Sequence, residues 1–298
     1  CQTQVKKVFA DKQFNQKLAA NGFQFSSANS INWGRLVPQI VYYFHAYADL
    51  CHKNKIAIGD RINISVPTGN FGNILASYYA YRMGLPVNKF ICASNDNKIL
   101  TDFLRTGKYD TKREFKKTIS PSMDILISSN LERFLFEITG HDSDRIKDWY
   151  NELQKTGSFD IGDKYLAQIQ EIFVGQYARE EETKKMIKEV YDKYDYTIDP
   201  HTGVGVRSYQ KYLSQTQDRT PVVIDSTASP YKFSRAVLEA ITDSPVNEDE
   251  FKVLKRLQEK INMDLHPGLK NLEKMEIRHQ RQCSSTGIKD EIGDILKL

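Results

Sequence analysis

The chain has 298 residues, 40% hydrophobic, 11% aromatic and 27% charged, enough for one large domain or two with a sizeable core. Its net charge is +4, from 42 Lys and Arg against 38 Asp and Glu evenly spread, which excludes the concentrated basic surface of a nucleic-acid binder. Cys1, Cys51, Cys92 and Cys283 lie far apart, with no Cys-x-x-Cys and no Cys/His cluster. That argues against a disulfide framework or a metal site and fits a reducing, cytoplasmic setting.

The chain opens on Cys1 rather than Met and runs directly into Val5-Lys-Lys-Val-Phe-Ala10, with no flexible spacer of the kind a lipidated cysteine would carry. An internal start, with sequence missing upstream, is expected. Residues 2–20 place Val5, Val8, Phe9, Phe14 and Leu18 near helical spacing, and 21–32 is an Asn- and Ser-rich loop. From Asn32 the steps of three and four through Trp33, Leu36, Val37, Ile40, Val41, Phe44, Tyr47 and Leu50 predict a helix, kinked at or started late by Pro38. Within it Arg35, Gln39, His45 and the following Asp49 make the stretch too polar to span a bilayer, so no membrane partner is expected.

Arg61–Ser65 alternates like a strand, and Ile74–Met83, closed by Gly84, reads as a helix. Between them lies Ser-Val-Pro-Thr-Gly-Asn-Phe-Gly-Asn, residues 65–73. Backbone N–H groups at a helix start, with glycines allowing close approach, can cradle a phosphate, and an ordinary βα turn has the same spacing. Lys89–Ala93 is a compact strand, Ser94–Asn97 a turn, and a helix begins near Ile99. The succession predicts an α/β fold with a parallel sheet and crossover helices on both faces, with ligands at the carboxyl ends of the strands. Asp124 and Asn130 fall near such ends, where capping is the simpler explanation.

His141–Tyr194 is highly charged, with helical spacing at Trp149–Leu153, Tyr165–Phe173 and Glu180–Tyr194. Asp199-Pro-His-Thr-Gly-Val-Gly-Val206 starts a further helix, and His201 in it could be a general base or hold its loop by hydrogen bonds. Val222–Asp225 reads as a buried strand ending in Ser-Thr-Ala-Ser-Pro-Tyr-Lys-Phe, residues 226–233. Helices at Phe233–Thr242, Glu248–Asn262 and Ile288–Leu298 close the chain. The domains expected are 1–140 and 196–298 as two parts of one core, with 141–195 as a charged helical insertion or outer subdomain.

The block Val66-Pro-Thr-Gly-Asn-Phe-Gly-Asn-Ile-Leu-Ala76 closely resembles the loop of threonine synthase, a pyridoxal-phosphate enzyme of the tryptophan-synthase-β fold type, or fold type II. Residues 29–35, 94–97, 120–132, 199–206 and 226–233 resemble that family in order. The resemblance implies that Gly69, Asn70, Phe71, Gly72 and Asn73 wrap the phosphate of pyridoxal 5'-phosphate and that the Thr227 hydroxyl meets its pyridine nitrogen. It also places Asn29, Ser30, Asn32, Arg35 and His201 near a substrate, O-phospho-L-homoserine, which with water becomes L-threonine and phosphate. Departures are Gly203, where Ala is usual, and Ser226 and Ser229, where a small residue and His are common.

In that family the Schiff-base lysine sits in a Ser-Phe-Lys-Asp block upstream of all these segments. No lysine here has that neighbourhood, and Lys232 belongs to its own matching block with a different role. The resemblance therefore implies a C-terminal portion with the N-terminal part of the enzyme missing, the catalytic lysine upstream of Cys1, and no activity alone. The alternatives are a non-catalytic relative that keeps a phosphate-binding module, or another fold-type-II lyase such as a dehydratase. As an assembly, a monomer or a homodimer is expected.

Overall fold

The computed structural model describes residues 2–27 and 29–298. In chain order, α1 (Gln2–Ala10), α2 (Lys12–Ala20) and α3 (Trp33–His52) precede β1 (Ile62–Pro67), α4 (Gly72–Arg82), β2 (Val87–Ser94) and α5 (Ile99–Thr106). Then come β3 (Lys108–Asp110), α6 (Leu131–Ile138), α7 (Ser143–Thr156), β4 (Ser158–Asp160), α8 (Gly162–Gln170) and β5 (Phe173–Tyr177). The chain ends with α9 (Glu180–Tyr194), α10 (Pro200–Thr216), β6 (Val222–Ile224), α11 (Ser234–Thr242), α12 (Glu250–Lys260) and α13 (Ile288–Leu296). Two compact units result: Ser30–His266, and the residues up to Asn29 with Pro267–Leu298. In the smaller unit, Val8, Phe14 and Leu18 form a small core with Ile288 and Ile292 of α13, and Lys289 pairs with Asp11 at 2.5 Å.

The larger unit is built on a parallel sheet in the order β5-β2-β1-β6. Its period-2 alternation sorts two faces. Ile62, Ile64 and Val66 of β1 and Phe90 and Cys92 of β2 enter one core with Ile74 and Leu75 of α4 and Phe103 of α5. On the opposite face Ser65 Oγ donates to the Gly205 carbonyl of α10 at 2.9 Å, and Ala93 packs with Val204. Helices thus cover both faces, as expected. A Cβ on Gly205 would lie 3.1 Å from Pro67, and one on Gly203 3.2 Å from Thr183 of α9. Glycine at 203 therefore lets α10 lie close to α9.

The compact units divide at Asn29 and Pro267 rather than at the expected 140 and 196, and β5, from the expected insertion, is a strand of the central sheet; the other differences are local. Residues 2–20 form two helices, because Asp11 breaks the run and caps α2 by accepting from Phe14 N at 2.9 Å. Pro38 lies inside α3 rather than at its start. The apolar spacing across Tyr165–Phe173 ends as a helix at Gln170, and Phe173 instead opens β5, the sheet's far strand. A Cβ on Gly175 would stand 2.8 Å from the Thr101 carbonyl, so α5 packs directly on this strand. β3 and β4 pair antiparallel and carry Tyr109 and Phe159, stacked at 5.3 Å. Among the described residues no helix is long and apolar enough to cross a membrane.

At the amino end of the sheet, Asp218 Oδ2 accepts from Asn63 Nδ2 (2.8 Å), Asn88 Nδ2 (3.0 Å) and Tyr212 OH (2.6 Å). Asn63 is fully buried, so losing the carboxylate strands an amide donor. Asp218→Ala is expected to cost about 2 kcal/mol, read as a lower urea midpoint with unchanged m-value.

Candidate active site

The carboxyl end of β1 passes into α4 within a few residues. Thr68 N donates to the Ala93 carbonyl of β2 at 2.8 Å, and its hydroxyl closes back on Val66 O at 2.7 Å. Phe71, the residue before α4, takes a left-handed conformation with φ 56° and ψ 5°. For a residue with a Cβ this costs about 1–2 kcal/mol. Burial of the ring offsets it: Phe71 is 1% exposed and packs on Phe134 at 5.2 Å and Phe173 at 6.2 Å. No side chain caps α4, so the N–H groups of its first turn are left for another acceptor. Neither Gly69 nor Gly72 has positive φ. They are needed for space, since a Cβ on Gly69 would stand 2.6 Å from Ser122 O and one on Gly72 2.7 Å from Ser30 Oγ.

Residues 128–133 pin this turn. Ser128 Oγ donates to Gly69 O (2.7 Å), Ser129 Oγ to Asn70 Oδ1 (3.0 Å) and Asn130 Nδ2 to Asn70 O (2.8 Å). Asn130 also reaches Ser30 Oγ at 3.3 Å, and Arg133 donates to the carbonyls of Ser30, at 3.1 Å, and Ile31. Asn130 stands before α6 with φ 77°, but its side chain does not cap that helix. Asp124 likewise is no cap: it accepts from Asn95 (2.7 Å), Asn97 (3.0 Å) and both Thr118 N (2.8 Å) and Oγ1 (2.7 Å). Capping is thus corrected for both residues. They fasten loops 95–97 and 118–130 around the strand ends.

His201 sits in the first turn of α10, capped by buried Asp199. Its Nδ1 lies 2.9 Å from Asp199 Oδ1, and its Nε2 accepts from Ser122 N at 3.2 Å. A lone pair committed at Nε2 puts the ring proton on Nδ1, donating to Asp199. Of the two readings open for this histidine, the geometry favours holding a loop, since neither nitrogen is left for proton abstraction.

Across from α4, Tyr43 of α3 donates to Asp225 Oδ2 (2.5 Å) and lies 2.7 Å from Asn73 Oδ1, while Asn73 Nδ2 donates to Asp225 Oδ2 (2.9 Å). Burial pushes the Asp225 carboxyl up to about 6, against the bonds from Tyr43 and Asn73, and pushes the Tyr43 hydroxyl well above its ordinary range.

A single cleft of about 600 Å³ gathers Ser30, Gly69, Asn70, Phe71, Gly72, Asn73, His201 and Thr227, joined by Tyr43, Asp225 and Lys232. Thr227 is exposed within it. Asn32 is the N-cap of α3, accepting from Gly34 N at 3.0 Å, and Arg35 is exposed in the first turn; neither is among the described residues lining the cleft. Asn29 belongs to the smaller unit, where its N–H donates to Ser27 Oγ at 3.2 Å. Tyr43 and Asp225 were not singled out from the sequence. Tyr43 lies off the apolar steps read for its helix, and Asp225 read as a strand terminus.

Known proteins bear on this cleft. Residues 202–280 match the family described as "Threonine synthase, C-terminal". A "Threonine synthase-like 1" of Homo sapiens is 43% identical over 251 residues, 83% of this chain and 33% of that protein. The "Threonine synthase" of Schizosaccharomyces pombe is 38% identical over 263 residues, 81% of this chain and 50% of its own length. Over most of its length the chain is thus similar to threonine synthases. A solved threonine synthase from Brucella melitensis, described as bound to PLP, superposes with a TM-score of 0.72 at 35% identity, over 88% of this chain and 57% of that one. The fold is that of the type II enzymes to which threonine synthases belong. The chain spans a third to a half of the length of these curated relatives. The stretch matched as threonine synthase opens inside α10 and includes β6 and Thr227, so it supplies one wall of the cleft.

The raised Asp225 value sets a pH dependence. The unfolded chain loses this proton near pH ~4 and the folded one at about 6. Stability from this group is therefore full below pH ~4 and lost as pH rises through about 6. Asp225→Asn is expected to flatten that part of the profile, measured as urea midpoints between pH ~4 and ~7.

Proposed function

We propose that this chain supplies the cofactor and substrate contacts of a pyridoxal-phosphate-dependent threonine synthase, a lyase converting O-phospho-L-homoserine and water to L-threonine and phosphate. The observation that carries the reading is the uncapped start of α4 sharing one cleft with Thr227. The residues present fit the cofactor: donor N–H groups without an intrahelical acceptor, a left-handed residue and two glycines that admit no Cβ.

On this reading the first-turn N–H groups of α4, with Gly69 and Asn70 beside them, hold the cofactor phosphate. The Thr227 hydroxyl meets the ring nitrogen, and being neutral it does not hold that nitrogen fully protonated. When bound, pyridoxal 5'-phosphate supplies an electron sink that eases proton removal from the amino-acid carbons. Ser30 places a hydroxyl on the substrate side, and Lys232 lines the same cleft and offers a cation to a phosphorylated substrate. His201 keeps Ser122 and its loop in place as part of the wall.

The direct test is titration of the purified protein with pyridoxamine 5'-phosphate and with phosphate-free pyridoxamine. Only the phosphorylated form should bind tightly, and Thr227→Ala should weaken it by about tenfold. Equal binding of both compounds, or of neither, would overturn the cofactor assignment. For the substrate, the chain by itself, in which no lysine stands in a Schiff-base block, is expected to release no inorganic phosphate from O-phospho-L-homoserine, and Lys232→Ala is expected to weaken binding of that compound about tenfold, read by calorimetry.

A further inference from the structure

We propose that Asp225 is a positioning residue. Through Tyr43 and Asn73 its carboxyl ties the start of α4 to the turn that carries Thr227, so that the two walls of the cleft keep one spacing. The inference deepens the reading above and rests on it for its consequence, that phosphate cradle and ring contact stay matched.

Three separate elements meet at this carboxyl. Tyr43 comes from the middle of α3 and is buried, Asn73 from the first turn of α4, and Asp225 directly follows β6. Asn73 is used at both ends of its amide, with Oδ1 2.7 Å from the Tyr43 hydroxyl and Nδ2 donating to Asp225 at 2.9 Å. Held this way, the side chain cannot turn to cap its own helix, and the α4 N–H groups stay available. This is a different task from wrapping a phosphate with the side chain.

The Asp225 N–H donates to Ser65 O at 3.0 Å, the last sheet bond on this strand. Beyond it Ser226 and Thr227 are exposed, and the hold recorded on that turn is a longer 3.3 Å contact from Thr202 to Ser226 Oγ. Asp225 is therefore the final fixed point before Thr227. A carboxylate suits the position because it only accepts, so one oxygen can take a hydroxyl and an amide hydrogen together. Burial of Tyr43 in the same cluster strengthens both bonds.

The test is amide hydrogen exchange in peptides covering residues 68–75 and 224–230. Tyr43→Phe lies in neither segment, yet it should raise exchange in both by about tenfold, because one link serves both. Asp225→Ala should do the same, and Asp225→Asn, which keeps an acceptor oxygen, should restore wild-type protection. A Tyr43→Phe protein whose two segments both exchange like wild type, or in which only one loosens, would overturn the proposal. The same variants should weaken pyridoxamine 5'-phosphate about tenfold. If the wild type binds none, the cofactor reading falls, while the exchange result still decides whether Asp225 couples the two walls.

Discussion

The arrangement of the larger unit depends on how β1 ends. A strand buried on both faces must hand its chain to a helix in a few residues, and it does so through Thr68 to Phe71 without giving α4 a side-chain cap. Uncapped N–H groups and a left-handed phenylalanine are both unfavourable in isolation. The aromatic cluster of Phe71, Phe134 and Phe173 offsets the second. The first is left open toward the cleft, where an anion would satisfy it. Strain concentrated at a strand end and supported by packing elsewhere is the pattern of a ligand site rather than of an ordinary turn.

The support is mostly polar and comes from far along the chain. Ser128, Ser129, Asn130 and Arg133 grip both the 65–73 turn and the backbone at Ser30 and Ile31. Asp124 fastens the adjoining loops, and the Asp199–His201 pair fixes Ser122 above Gly69. These groups meet at the carboxyl ends of the strands, where a parallel sheet leaves a crevice. At the opposite end Asp218 collects donors from β1, β2 and α10 and from its neighbour Thr220.

That division explains what was legible in the sequence. The 65–73 turn, the strands flanking it and the helix after it are written in local terms: two glycines, a β-branched run and a stretch of helix formers. The roles of Asn130 and Asp124 were not legible, because a short polar residue beside a helix reads as a cap unless its distant partners are known. β5 escaped because five residues inside a charged stretch continue the apolar steps of the preceding helix, and burial against α5 decides their state. Arg35 and Asn32 show the converse: family-like wording marks the segment, while geometry brings Ser30 alone of these to the cleft.

The three carboxylates around the cleft are not equivalent, and the difference is physical. Asp124 and Asp199 each accept from several donors, backbone N–H groups among them, so their charge is spread over fixed dipoles. Asp225 has its two side-chain bonds on one oxygen, both from side chains, and burial holds its value up at about 6. A carboxylate gripped by backbone moves only if the fold moves. One gripped by a tyrosine and an asparagine from two different helices registers their relative placement. Asp225 is therefore the place in this cleft where the spacing between the start of α4 and Thr227 is expressed as a hydrogen-bond geometry.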